Sequence, residues 1–176
     1  NGYLGKLNKK IAGKVLPINN FVITTQPLDE TLRKEVMATS AAVADSKFVI
    51  NYFRMTHDGR LLFGGGENYG YRFPADIKAF VRKPMLEIFP QLESVKIDYG
   101  WGGTLAITLK RLPLFERLAG NILTCSGYSG HGVALASLAG QIAAEAINGQ
   151  ASRFDVLAKL ETPRFPGGTL LRYPML

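Results

Sequence analysis

The fold is decided by Asn121-Ile122-Leu123-Thr124-Cys125-Ser126-Gly127-Tyr128-Ser129-Gly130-His131-Gly132-Val133, which continues through an Ala-rich run to Asn148-Gly149. Asn121 to Cys125 is short and apolar and reads as a strand. The composition from Val133 to Ile147 predicts a helix, with Asn148-Gly149 as its stop. Between strand and helix, the glycines of the loop Gly127–Gly132 let backbone approach a ligand without Cβ interference. The helix N-terminus adds partial positive charge, which favours anionic or electron-rich groups. Three glycines, serine and histidine within the loop favour ligand binding over a bare turn.

Spacing tests two sharper readings of the loop. The dinucleotide fingerprint is G-x-G-x-x-G, whereas this loop runs Gly127-x-x-Gly130-x-Gly132 and does not match it. The hydrolase elbow is G-x-S-x-G, and His131 stands where its second glycine belongs. A serine and histidine two residues apart in one loop also make a poor nucleophile–base pair.

Upstream, Phe21 to Thr25 is a β-rich run ending at Gln26-Pro27. Leu28 to Ala44 has irregular apolar spacing and predicts a short helix or a loop. Lys47 to Thr56 reads as a strand, Asp58-Gly59 as a tight type I′ turn, and Arg60 to Gly64 as the returning strand. Period two puts Tyr52 and Arg54 on one face, with Phe53 and Met55 on the other. Gly64-Gly65-Gly66 lacks the Lys-Ser/Thr of a phosphate loop and reads as a bulge or a crossing where the chain leaves the sheet, with a ligand-facing role as the other reading. Pro74-Ala75-Asp76 opens a helix that Pro84 must kink or split and Pro90 ends. Val95 to Trp101 alternates as a strand and runs into Gly102-Gly103-Thr104. The tail from Ala151 looks irregular. The pattern is α+β: a mainly antiparallel sheet with flanking helices, then a strand–loop–helix unit of α/β type.

Composition narrows the function classes. Apolar residues make up 47% of 176, enough to bury a core. No apolar run is long enough to span a bilayer. The net charge of +7 is spread over short pairs such as Lys9-Lys10 and Arg82-Lys83. A solvated basic surface explains it better than a nucleic-acid site. Cys125 is the single cysteine, so no internal disulfide forms, which suits a reducing compartment such as the cytoplasm. His57 and His131 lack metal-ligand spacing, so no metal is expected. The start Asn1-Gly2-Tyr3 reads as a beginning inside a larger protein or after processing.

Gly127-Tyr128-Ser129-Gly130-His131-Gly132, with the Ala-rich helix after it, resembles the C-terminal flavin loop of the D-amino-acid oxidase-like family. That family includes glycine oxidase and monomeric sarcosine oxidase. The hairpin Tyr52-Phe53-Arg54 to Phe63-Gly64-Gly65 is similar to its substrate-domain hairpin. Tyr99-Gly100-Trp101-Gly102-Gly103-Thr104 resembles the stretch beside its isoalloxazine ring. The likeness is strongest to gamma-glutamylputrescine oxidoreductase-like enzymes, and the three motifs stand in family order across most of the chain.

The resemblance implies oxidation of an amine or amino acid C–N bond to an imine, with hydride passing to flavin. It implies flavin neighbours at Trp101, Gly102, Gly103 and Thr104, and at Gly127, Tyr128, Ser129, Gly130, His131 and Gly132. Tyr52 and Arg54 would face the amine substrate, Arg54 pairing with a carboxylate. No cysteine stands within Trp101–Thr104, so FAD is expected to be noncovalent. The family's G-x-G-x-x-G is absent, which suggests a C-terminal part whose N-terminal flavin-binding region is missing. Alone, such a part is expected to be inactive and without FAD, and its uncovered apolar surface could make a homodimer. The implied division is 1–12 as residual FAD-binding segment, 13–110 as substrate sheet, 111–150 as FAD-binding strand–loop–helix and 151–176 as tail. A stand-alone anion-binding module and a basic nucleic-acid-binding domain are the other two readings.

Overall fold

The structure is a computed structural model that describes residues 2–69 and 72–171. Its elements are α1 (Lys9–Ala12), β1 (Val15–Thr25), α2 (Glu30–Val36), β2 (Val43–Ala44), β3 (Tyr52–Met55), β4 (Leu61–Tyr69), α3 (Ile77–Ile88), β5 (Ile97–Thr108), β6 (Leu114–Ala119), β7 (Ile122–Ser126), α4 (Gly132–Ile147), α5 (Ser152–Ala158) and α6 (Gly168–Leu171). A five-stranded sheet has the order β2-β3-β4-β1-β5, and β6 and β7 form a separate two-stranded ribbon. The pairs β2/β3, β3/β4 and β6/β7 are antiparallel. The chain is therefore α+β, as its sequence pattern predicts.

The chain divides into two compact units, one of residues 19–103 and one of the flanking segments up to Ile18 and from Thr104 onward. In the first, Phe21, Ile23, Leu61, Phe63, Val81 and Met85 are buried together between sheet and α3. Asp76 caps α3 by accepting the Ala79 N–H at 2.9 Å. Pro84 lies inside α3 without dividing it. Phe53 packs edge-on against Phe89, ring centroids 4.9 Å apart, which fixes the inward face of β3.

Several local expectations change. β1 is longer than the predicted strand, beginning at Val15. The predicted strand from Lys47 shortens to Tyr52–Met55. Asp45 accepts hydrogen bonds from the backbone N–H groups of Lys47 and Asn51 and from the Asn51 side chain, so the chain bends there instead of extending. The hairpin turn is also different from type I′. Thr56 and Arg60 close a three-residue loop, and only Gly59 has positive φ, +78°. That is the type I turn with a left-handed glycine, not a two-residue loop. Gly64-Gly65-Gly66 does not leave the sheet; it continues inside β4. There the Gly64 Cβ position is filled by the Tyr52 ring.

In the second unit, β6, β7, α4 and α5 enclose Phe115, Tyr128, Ala139, Ile142 and Phe154. The helix predicted over Val133–Ile147 is α4, ended by Gly149 at φ +87°. The tail is more ordered than its sequence suggests. Phe154 on α5 is fully buried, and Phe165 joins a small cluster with Leu16, Ile18 and Ile107. Residues 172–176 of that tail lie outside the described residues.

Candidate flavin-side loop and substrate-side hairpin

The loop is built by alternation between confinement and openness. Gly127, at φ +64°, sits where an added Cβ would lie 2.6 Å from Thr108 Cγ2. Tyr128 turns inward, its ring packed in the helix-side core and its hydroxyl donating to the Cys125 carbonyl at 3.1 Å. Ser129 adopts φ +51°, rare for a residue with a side chain. It is held by its backbone N–H donating to the Ala106 carbonyl at 2.9 Å. Its Oγ accepts from the Thr108 N–H at 3.1 Å and lies 3.3 Å from Thr108 Oγ1. This double clasp ties the loop to the end of β5.

Beyond the clasp the loop is bare. Gly130 has φ +95°, and nothing lies within 4 Å of its Cβ position. His131 is exposed, and its N–H bonds back to the Tyr128 carbonyl at 2.9 Å. The N–H groups of Gly130, Gly132 and Val133 find no acceptor among the described residues. A cavity of about 190 Å³ lies here, bordered by Thr104, Leu105, Ala106, Ser129, Gly130 and Gly132, among others. The loop therefore presents backbone N–H groups and a helix N-terminus, while the Tyr128 and Ser129 side chains hold its shape. These residues fit the electron-rich edge of a flavin ring: a bare glycine tip and unused donors beside an open cavity.

Along β5, the Trp101–Thr104 segment presents two faces. The Gly102 Cβ position is closed by the Phe21 ring, so Gly102 serves packing. Trp101 is 46% exposed, and nothing lies within 4 Å of the Gly103 Cβ position.

On the hairpin, Tyr52 and Arg54 share the face opposite Phe53 and Met55, which pack on the core. Arg54 is exposed and Tyr52 half-buried. The Tyr52 hydroxyl donates to Asn20 Oδ1 at 2.6 Å. Asn20 was not legible as a site residue; its only signal is a polar pair, Asn19-Asn20, inside an otherwise apolar strand. Thr108 had no signal at all. His57, expected beside the turn, lies exposed within the hairpin loop.

Comparison with known proteins decides the family. The FAD-dependent oxidoreductase model named DAO matches residues 1–146. The chain belongs to the DAO family of FAD-dependent oxidoreductases. Among curated proteins, this DAO-family chain is 45% identical to gamma-glutamylputrescine oxidoreductase of Escherichia coli (strain K12), over 99% of its own length and 41% of the relative's. It is 42% identical to the probable oxidoreductase OrdL of Rhizobium meliloti (strain 1021), again covering 41% of that protein. The chain thus spans about two-fifths of the length of the curated relatives it matches. Among solved structures, glycine oxidase from Geobacillus kaustophilus superimposes with a TM-score of 0.68 at 19% identity, covering 88% of this chain and 40% of that one. That likeness supports the fold of the DAO-family chain.

Among the described residues no three His, Cys, Asp or Glu side chains gather as metal ligands, and no helix is long and apolar enough to cross a membrane.

Proposed function

We propose that this chain supplies the substrate-facing sheet and the closing flavin loop of an enzyme that oxidises an amine or amino acid C–N bond to an imine. FAD, bound noncovalently in the whole protein, would supply the hydride acceptor. The observation that carries this reading is the clasped loop with its open tip: Ser129 is pinned to β5 while Gly130 faces empty space. The free N–H groups of Gly130 and Gly132, with the α4 N-terminus behind them, would stabilise negative charge at the ring's pyrimidine edge. Tyr128 and Ser129 keep that backbone in place, and His131 and Gly127 flank it. Trp101, Gly103 and Thr104 would border the ring, with Gly102 packed beneath. Tyr52 and Arg54 would hold the substrate, Arg54 through a carboxylate.

In this reading the unit of residues 19–103 carries most of the substrate side, within the wider 13–110 span expected from sequence, and 111–150 carries the flavin loop. The chain is then the C-terminal part of a longer polypeptide, inactive by itself, whose upstream part holds the rest of FAD. A reducing cytoplasm is the compartment proposed, since Cys125 has no cysteine to pair with. The test is Gly130→Val in the whole protein. At φ +95° a β-branched side chain is strained, and its bulk would fill the open tip. The purified variant should lose its flavin absorbance; full yellow colour would sink the assignment.

A further inference from the structure

We infer that Asn20 sets the hydrogen-bond polarity of Tyr52, so that Tyr52 offers an acceptor, and that the group it receives is a substrate amine or ammonium, not a carboxylate. This rests on the reading above that the Tyr52 face meets substrate.

The polarity follows from a chain of three groups. The Gly66 carbonyl can only accept, and the Asn20 side-chain nitrogen lies 3.5 Å from it. Asn20 therefore points its Nδ2 toward Gly66 and its Oδ1 toward Tyr52. An amide oxygen can only accept, so the Tyr52 hydroxyl must be the donor in their 2.6 Å contact. Its one proton is committed. What remains on the phenol oxygen is lone pair, which serves an N–H donor and repels a carboxylate.

Position is fixed as firmly as polarity. Tyr52 stands opposite Gly64 in the β3/β4 register, and its ring occupies the space where any Gly64 side chain would begin. The phenol end of the ring lies over Gly64, and Asn20 holds that same end through the hydroxyl. Burial pushes the Tyr52 hydroxyl up from its ordinary value, and the negative charge of Glu67 adds to this. The phenol thus stays protonated at neutral pH and keeps its bond to Asn20. The Glu67 charge also makes the surroundings of the oxygen more favourable to a cation. With Arg54 two residues along the same face, an amine end at Tyr52 and a carboxylate end at Arg54 are separately recognised. Asn20 is a positioning residue: it acts on substrate only through Tyr52.

The experiment uses the whole protein with FAD bound and two probes of one shape. tert-Butylamine carries no hydrogen on the carbon bearing nitrogen, so it cannot be oxidised to an imine. Pivalate is its carboxylate counterpart. Binding of each is read from the perturbation of flavin absorbance. Removing a hydrogen bond to a charged amine should weaken tert-butylamine about tenfold in Tyr52→Phe. Asn20→Ala leaves the phenol oxygen able to accept but frees its proton, so it should keep tert-butylamine binding and gain pivalate binding several-fold. Adding Tyr52→Phe to Asn20→Ala should abolish that gain, because the gain needs the hydroxyl. Asn20→Asp still accepts the Tyr52 proton and should retain binding. With Asn20 in place, pivalate binding should not depend on Tyr52.

Tyr52-dependent pivalate binding with Asn20 in place, or no gain of pivalate binding in Asn20→Ala, would each overturn the inference. If Asn20→Ala fails to fold, Tyr52→Phe decides: no loss of tert-butylamine binding refutes it. Failure of the whole protein to oxidise any amine is read separately, by turnover, and strikes the proposed reaction instead.

Discussion

Two glycines three residues apart, Gly127 and Gly130, should lose different amounts of stability on the same substitution. Both have positive φ, +64° and +95°. Alanine at either position therefore meets backbone strain. Left-handed backbone costs a residue with a side chain roughly 1–2 kcal/mol. Only Gly127 meets a second cost, because its new Cβ would lie 2.6 Å from Thr108 Cγ2. Forcing a methyl into a packed site adds about 1–3 kcal/mol. Gly127→Ala should thus lose about 2–5 kcal/mol in total. The offending atom can be removed on its own. Thr108→Ser deletes Cγ2 yet keeps the hydroxyl that donates to the Leu112 carbonyl at 2.7 Å. In the double variant the overpacking share, about 1–3 kcal/mol, should return while the strain stays. Urea unfolding of wild type, the two single variants and the double variant measures each quantity. A Gly127→Ala loss below about 0.5 kcal/mol, or no recovery on adding Thr108→Ser, would refute the packing of Thr108 against Gly127. Gly130→Ala, with no neighbour to strike, should show strain alone, and Thr108→Ser should not relieve it.

Further outcomes concern charge and packing. Arg60, hydrogen-bonded to Asp98 at 2.5 Å, holds the Asp98 carboxyl below the usual carboxylate range. Its folded value is depressed, so its contribution is present above the unfolded value of about 4 and lost as pH falls through the lower folded value. Asp98→Asn should therefore flatten the decline in the urea midpoint below about pH 4, and an unchanged acid limb would count against the pairing. Arg54→Ala in the whole enzyme should raise KM for carboxylate-bearing amines about tenfold and leave simple alkylamines nearly unchanged. Equal changes would remove Arg54 as a carboxylate partner. Phe154→Ala should cost about 3–5 kcal/mol in chemical unfolding, since that fully buried ring packs on Phe115 at 5.7 Å. A loss under about 1 kcal/mol would mean α5 is dispensable to the core.

Long-period patterns were legible in the sequence, and short-range competition was not. The helix Val133–Ile147 has fifteen residues of consistent composition, and its glycine stop is unambiguous; α4 follows it. The hairpin was equally plain, because Phe53 and Met55 alternate with Tyr52 and Arg54. The start of β3 was not, because Lys47 to Ile50 has strand composition. A single carboxylate, Asp45, outcompetes it by taking three N–H donors locally. The turn was assigned from Asp58-Gly59, yet the loop includes His57, and hairpin type depends on where Thr56 and Arg60 pair. α5 escaped notice because one aromatic, Phe154, does most of its anchoring, and one residue makes no period.

Glycine count could not separate the two glycine clusters, Gly64-Gly65-Gly66 and Gly127–Gly132, whereas the space beside each Cβ can. The Gly64 position faces the Tyr52 ring, the Gly65 position lies 2.7 Å from Asn51 Oδ1, and the Gly66 position lies 2.5 Å from the Phe80 ring. All three are small because the protein's own side chains fill the room. Gly127 belongs with them, since Thr108 fills its room. Gly130 does not, because nothing fills its room, and no internal packing demands a glycine at an exposed loop tip except through its φ. A glycine crowded by its own chain reports packing; Gly130, facing empty space beside unused N–H donors, leaves room for a ligand. By that criterion the proposed flavin contact contracts from six loop residues to the backbone around Gly130, with the Gly132 N–H beside it. The Tyr128 and Ser129 side chains become the scaffold that holds it.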